Sequence, residues 1–309
     1  MSDLMPQLLQ QLFNGLSLGA IYALIAIGYT MVYGIIGMIN FAHGEIYMIG
    51  AYVGLVTLSA VGAQSGLPIW LIIGLMLVVA VAVTATYGFV IEQVAYKPLR
   101  SSPRLVALIS AIGMSIFLQN WVALGQGARD MAVPSLIPGA LRFTLGGGGF
   151  EVFVPYSRIL IIVVTLVLMV LLTLYIKHSR MGRASRACSQ DMHMANLLGI
   201  DTNRVISFTF VLGAMLAAVG GVLIALAVGK LNPFIGFIAG IKAFTAAVLG
   251  GIGSIPGAML GGVILGIAET LAAAYISSEY KDIVAFLLLV LILMFRPTGL
   301  LGKPEVEKV

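Results

Sequence analysis

The feature that most constrains this chain is a succession of long apolar stretches that few charged residues interrupt. A helix needs about 20 apolar residues to cross the hydrocarbon core of a bilayer. The runs are continuous and lack the alternation, with a segment length of about ten residues, that is typical of a barrel strand. We therefore predict an all-α, polytopic integral membrane protein with about eight or nine transmembrane helices. The stretches lie near residues 12–33, 41–62, 68–91, 105–124, 159–176, 205–228, 237–250, 257–276 and 283–295.

Composition excludes the soluble alternatives. The 309 residues include only 17 Lys+Arg and 12 Asp+Glu, which is 9% charged residues, whereas soluble domains have about 25%. Hydrophobic residues make up 60% of the chain, and the mean hydropathy is +1.09. So few charges cannot cover so large an apolar content, which argues against both a soluble enzyme and a disordered protein.

The placement of basic residues predicts the orientation in the membrane. Eleven of the 17 basic residues fall in segments 92–104, 177–204 and the tail from residue 296. The positive-inside rule puts these three segments, and the C-terminus with them, in the cytoplasm. The net charge of +5 then reflects inner loops rather than a nucleic-acid partner.

Two long polar segments separate some of the spans. The outer segment, 125–158, contains three prolines and the glycine run 146–149, which predicts an extracytoplasmic loop without regular structure. The inner segment, 177–204, predicts one or two short helices at the inner membrane surface, with Gly199 as a helix stop. This inner segment is either a docking surface or a basic anchor for topology.

Polar residues at membrane depth are candidates for a translocation pathway, because their burial in hydrocarbon is costly. Glu45 lies close in sequence to Asn40 and His43, inside the irregular stretch 34–50. These residues either line a broken or re-entrant segment or form a polar cap where a helix begins near Asn40. Both interpretations stay open from the sequence.

A second group of candidates lies in the C-terminal third. Glu269 interrupts an apolar span, where it either lines the pathway or makes a buried hydrogen bond to a neighbouring helix. Lys242 precedes a glycine-rich stretch within the irregular region 229–262, which predicts a second broken or re-entrant segment. We find no phosphate-binding loop, no nucleophile elbow and no metal-binding pattern around the single cysteine, Cys188. The sequence therefore predicts neither an enzyme nor a metalloprotein.

Four strings resemble one known family: I-N-F-A-H-G-E (39–45), G-R-A-S-R-A-C (182–188), N-L-L-G-I-D-T-N-R-V (196–205) and A-V-L-G-G-I-G-S-I-P-G-A (247–258). Together they resemble the membrane permease of bacterial branched-chain amino acid ABC importers of the high-affinity Leu/Ile/Val type. The resemblance extends over essentially the whole chain and implies a single permease domain over residues 1–309. It also implies a multi-pass protein of the bacterial inner membrane that imports Leu, Ile and Val by alternating access.

The same resemblance implies a set of partners. A periplasmic substrate-binding protein delivers the amino acid, and a second, related permease completes the pathway. Two cytoplasmic ATPases hold ATP and Mg²⁺, so that this chain binds no cofactor. Docking of the ATPases is expected on segment 177–204, at Arg183, Arg186, Ala195, Leu198 and Gly199, of which Ala195 and Gly199 match the general docking motif. Arg129 and Asp130 are the expected contact with the binding protein.

Two other classes remain open from the residues alone. An ion-coupled secondary amino-acid carrier is the main alternative, although such carriers need interior ionisable groups and this chain offers few. A membrane scaffold or channel is the other. A scaffold predicts that substrate does not stimulate any partner ATPase.

Overall fold

The structure is a computed structural model that describes residues 4–62, 66–100, 102–144 and 151–302. All nine predicted apolar stretches are helical, so the predicted all-α polytopic fold is confirmed. The main helices are α1 (Leu4–Ile36), α2 (His43–Val61), α3 (Ile69–Ile91), α4 (Arg104–Gln126), α5 (Tyr156–His178), α8 (Thr202–Val228), α9 (Ile235–Gly250), α10 (Ile255–Tyr275) and α11 (Lys281–Phe295).

Seven of these helices are long and apolar enough to cross a membrane, namely α1 to α5, α8 and α10. The other two are shorter, since α9 has 16 residues and α11 has 15. At a rise of about 1.5 Å per residue, neither reaches the thickness of about 30 Å that a perpendicular span requires. The span count is therefore approximate, and it depends on how α9 and α11 are counted.

Helix α1 lies at the centre of the fold and packs along α10, α8 and α9. Small residues make its contact with α10 close: a Cβ on Gly15 would lie 2.7 Å from the Ile267 Cα, and one on Gly19 would lie 2.7 Å from the Val263 Cα. Packing of this kind replaces the hydrophobic effect as the force between helices in a membrane. Helices α3, α4 and α5 lie outside this centre, and large apolar side chains such as Trp70 and Trp121 are exposed on them.

Both irregular stretches contain the predicted breaks. Helix α1 ends at Ile36, Gly37 adopts a φ of +69°, and residues 38–42 are not helical before α2 begins. The first residue of α2, His43, packs against Gly28, so the chain turns back along the last two turns of α1. In the second stretch, turns at residues 232–234 and 251–254 bound α9 on both sides.

The prediction that segment 125–158 lacks regular structure is wrong. It contains β1 (Met131–Ala132), β2 (Ala140–Thr144) and β3 (Glu151–Pro155), and α5 begins inside it. Strands β2 and β3 form an antiparallel hairpin, and β1 pairs with β4 (Lys230–Leu231). Residues of β3 alternate between buried and exposed, and its two valines are buried. The Gln10 side chain of α1 holds this strand at Phe153, because its Nε2 donates to the Phe153 carbonyl and its Oε1 accepts from the Phe153 N–H. The glycine run 146–149 lies outside the described residues.

Segment 177–204, for which one or two short helices are predicted, forms two: α6 (Arg180–Gln190) and α7 (Met192–Leu197). Side chains cap three helix starts in this region, because Ser179, Asp191 and Asp201 each accept a hydrogen bond from a backbone N–H three residues later. Gly199 follows α7 with a φ of +81°, which confirms its role as a helix stop.

Candidate functional site

The break between α1 and α2 brings Asn40, His43 and Glu45 into the interior of the fold. All three side chains are buried, and Glu45 has no exposed surface. The residue before α2, Ala42, makes no side-chain cap, so the polar residues do not cap the helix. Asn40 lies in the non-helical stretch before α2, whereas His43 and Glu45 lie in the first turn of α2. Their role in a pathway stays a prediction.

Glu45 uses its two carboxylate oxygens differently. Oε1 accepts hydrogen bonds from Ser115 Oγ at 2.9 Å and from Gln119 Nε2 at 2.8 Å, both on α4. Oε2 has no hydrogen-bond partner within the described residues, although the atom is buried. It lies against Gly236 of α9, where a Cβ would overlap it. One oxygen is therefore held in place and the other is left unused, which is costly for a buried polar group.

Asn40 likewise uses only one of its two polar side-chain atoms in a hydrogen bond. Its Oδ1 accepts a hydrogen bond of 2.6 Å from Tyr96 Oη, while its Nδ2 lacks a partner in the part of the chain that the structure describes. His43 packs its ring edge-on against Tyr29, with 4.9 Å between ring centroids. The break is therefore flanked by a cluster of buried polar groups with unused hydrogen-bonding capacity.

Aromatic and aliphatic side chains lie next to these buried polar groups. Tyr29 and Phe41 both pack against Phe244 of α9, with 6.2 Å between ring centroids in each pair. Tyr29 and Phe244 adjoin a cavity of about 10 Å³, which is no larger than one water molecule needs. The cavity is lined by Tyr29, Tyr33, Ile39, Phe244, Ala247 and Ile252.

Lys242 and Glu269 form a separate cluster. Lys242 Nζ lies 2.6 Å from Glu269 Oε1 and 2.6 Å from Asp282 Oδ1, and Tyr22 Oη donates to Glu269 Oε2 at 2.9 Å. Lys242 and Glu269 are both buried. For Glu269 the geometry matches the buried hydrogen bond to neighbouring helices, because both of its oxygens have partners. The cluster joins α1, α9, α10 and α11.

Sequence reasoning missed a third buried carboxylate. Glu92 is fully buried at the end of α3, in a π-helical turn (Glu92–Tyr96). It pairs with Arg100 and accepts hydrogen bonds from Ser207 and Gln93, while Arg100 also bonds Asn203. In the sequence, Glu92 is the first residue of the basic segment 92–104, where the charge pattern does not single it out. The signal that marks Glu92 is the π-turn that contains it, a kind of turn common at functional sites, and this turn is visible only in the structure.

Two arginines of the inner segment point back into this chain. Arg183 Nη1 donates to the His178 carbonyl at 2.9 Å, and Arg186 Nη1 donates to the Ile176 carbonyl. Both carbonyls belong to the last turn of α5, where basic side chains commonly satisfy free acceptors. By contrast, Leu198 is 81% exposed, whereas Ala195 is buried. The two arginines stabilise the segment internally, and its apolar end faces outward.

At the opposite end of the spans, Asp130 accepts a hydrogen bond of 2.7 Å from Asn232 Nδ2, next to the β1–β4 pair. Arg129 is exposed beside it. A cavity of about 650 Å³ opens here between the ends of α2 and α3 and the chain that follows α4. Within the described residues, no group of three or more His, Cys, Asp or Glu side chains could hold a metal ion.

Comparison with known proteins identifies the family. Residues 11–293 match the family model described as branched-chain amino acid transport system / permease component. The chain belongs to this family. This permease family was the one that the four strings resembled, so the resemblance is confirmed.

Several permease proteins are similar to this chain over most of its length. The high-affinity branched-chain amino acid transport system permease protein LivH of Escherichia coli K12 is 58% identical over 313 residues, which cover 100% of both chains. The corresponding protein BraD of Pseudomonas aeruginosa PAO1 is 57% identical over 311 residues, covering 99% of this chain and 100% of BraD. The permease protein LivM of E. coli K12 is 26% identical over 313 residues, covering 94% of this chain and 70% of LivM.

Proposed function

We propose that this chain is a permease subunit of an ATP-driven importer that carries Leu, Ile and Val across the bacterial inner membrane by alternating access. The observation that carries the proposal is the full-length identity of 58% to a permease named for high-affinity branched-chain amino acid transport. The buried break with its unused polar atoms supports it, because a transport pathway needs a few polar groups in an apolar interior.

The partners follow from the same proposal. A second permease is expected, since LivM is a distinct permease protein that shares the name of its transport system with LivH and is 26% identical to this chain. Two cytoplasmic ATPases bind ATP and Mg²⁺ in the proposed importer, and the lack of a phosphate-binding loop in this sequence agrees with that division. A periplasmic substrate-binding protein delivers the amino acid. This chain binds no cofactor and catalyses no reaction itself.

The docking surfaces lie at opposite ends of the spans. The ATPases contact α6, α7 and the exposed end of α7 at Leu197 and Leu198. The substrate-binding protein contacts the end that carries Arg129 and Asp130. Placing α6, α7 and the C-terminus in the cytoplasm follows from the positive-inside rule, and the hydrogen bond between Arg100 and Asn203 joins two of the basic segments on one side.

Reconstitution tests the proposal. We expect proteoliposomes that contain this chain, the second permease, the two ATPases and the binding protein to take up leucine when ATP is added. An ATPase variant unable to hydrolyse ATP serves as the control and should give no uptake. Leucine uptake that needs no ATPase and follows a proton gradient would instead establish the ion-coupled carrier.

A further inference from the structure

Glu45 carries a buried carboxylate oxygen that has no hydrogen-bond donor among the residues that the structure describes. Its Oε1 atom already receives two hydrogen bonds from α4, which hold the carboxylate in one orientation. In that orientation Oε2 is buried, has no partner within the described residues and points at the backbone of α9. A buried carboxylate oxygen without a donor costs stability, so a donor that reached this oxygen would remove that cost.

The side of α9 that covers this oxygen has no side chains of its own. Gly236 lies over Glu45 Oε2, and a Cβ on Gly240, one turn later, would lie 3.1 Å from Tyr29 Oη. The backbones of Gly236 and Gly240 rest directly on Gly44 of α2. We call this contact of Gly44, Gly236 and Gly240 the glycine seam. Because glycine buries little apolar area, the seam is inexpensive to open compared with an interlocked side-chain contact.

The next position on the same face of α9 is apolar. Phe244 follows Gly240 by one turn and packs on Tyr29 and Phe41 beside the small cavity. Opening the seam would thus uncover a carboxylate oxygen first and then an aromatic surface within about two helical turns. This succession suits a ligand with a cationic group and an aliphatic side chain.

We propose that Glu45 binds the α-ammonium group of the transported amino acid when α9 withdraws from α2 at the glycine seam. An ammonium group supplies the hydrogen-bond donor that Oε2 lacks, and the pair gains from the low local dielectric. Asn40 Nδ2, the other unused group of the break, is a donor available for the carboxylate of the ligand. The proposal rests on the proposed function for the identity of the ligand.

The test compares two isosteric variants in the complete reconstituted importer. Glu45→Gln keeps the size of the side chain and removes its charge. We expect leucine uptake to fall by about tenfold or more, because a charge-assisted hydrogen bond is lost, while ATP hydrolysis stimulated by the loaded binding protein persists. Thr165→Val on α5 is the matched control, since the Thr165 hydroxyl is also buried and without a partner in the described part of the chain. It should leave uptake unchanged.

A second measurement uses the unaltered protein, so that misfolding of a variant does not decide the outcome. A leucine analogue with a diazirine in its side chain is delivered by the binding protein, and the complex is irradiated during ATP turnover. We expect label in peptides covering residues 29–45 and 236–247. Label confined to other peptides, or uptake by Glu45→Gln equal to that of the unaltered protein, overturns the proposal. Absence of ATP-dependent leucine uptake by the unaltered importer would instead overturn the proposed function.

Discussion

Gly44 shows how one missing side chain sets the packing at the break. A Cβ on Gly44 would overlap the carbonyl oxygen of Gly236 and would lie 2.8 Å from the Cα of Gly240. Both neighbours are backbone atoms of a packed helix, so neither can move aside by a rotamer change. Only glycine at position 44 lets α2 and α9 approach this closely.

Gly44→Ala is therefore expected to destabilise the purified protein by about 1–3 kcal/mol, the usual cost of overpacking a core. Gly113→Ala is the matched control on α4, because a Cβ there meets no atom within 4 Å among the described residues. The control should be neutral or more stable by about 0.5–1 kcal/mol, since alanine favours helix. Thermal unfolding in detergent measures both, and equal shifts in Tm would contradict the packing argument.

At the scale of elements, one buried cluster ties four helices together. Lys242 of α9 lies between Glu269 of α10 and Asp282 of α11, and Tyr22 of α1 donates to Glu269. Asp282 is 45% exposed on its side chain, so the buried part of the cluster is the Lys242–Glu269 pair. Such a pair fixes which helices are neighbours even where its net stabilisation is small.

Removing one partner should cost much more than removing both. Lys242→Met alone leaves the Glu269 carboxylate buried without its cation, and we expect a loss of about 3–5 kcal/mol. The double change Lys242→Met with Glu269→Gln removes both charges and should recover most of that loss. A double-mutant cycle of thermal unfolding measures the coupling. Strictly additive effects of the two changes would show that the pair does not interact.

At the scale of the whole molecule, the exposed apolar surface indicates where other components contact the chain. Helices α3, α4 and α5 expose large apolar side chains along lengths that match a membrane. The end of α7 is different, because Leu197 and Leu198 are 69% and 81% exposed in a polar segment outside the spans. A small apolar patch in such a place is typical of a protein contact.

Leu198→Asp should therefore weaken association of the ATPases. Burying a leucine contributes about 1.5–3 kcal/mol, which corresponds to a loss of about tenfold or more in affinity. Ile276→Asp is the control, because Ile276 is 68% exposed after the end of α10 and lies outside segment 177–204, and it should have little effect on ATPase association. Co-purification of the ATPases with this chain measures both variants. Unchanged recovery with Leu198→Asp would place the docking contact elsewhere on the segment.

The membrane class, the positions of the nine apolar helices and the presence of short helices in segment 177–204 all followed from the sequence. Each depends on local properties: the length of an apolar run, a glycine with positive φ, a capping side chain or a cluster of charges. The family followed as well, because its motifs are contiguous strings. The outer strands did not, since β1 pairs with residues about a hundred positions later, and the alternation in β3 was too short to recognise.

Tertiary structure alone decided which polar groups meet. Glu45 was a candidate from its depth, but its partners Ser115 and Gln119 lie some 70 residues away on another helix. Glu269 was equally prominent in sequence, and the structure pairs it with Lys242 rather than leaving it open. The physical reason is that the cost of a buried charge depends on the atoms around it, and the neighbours of a helix are set by packing. The sequence of one span specifies that it is buried, whereas the arrangement of all spans specifies what it faces.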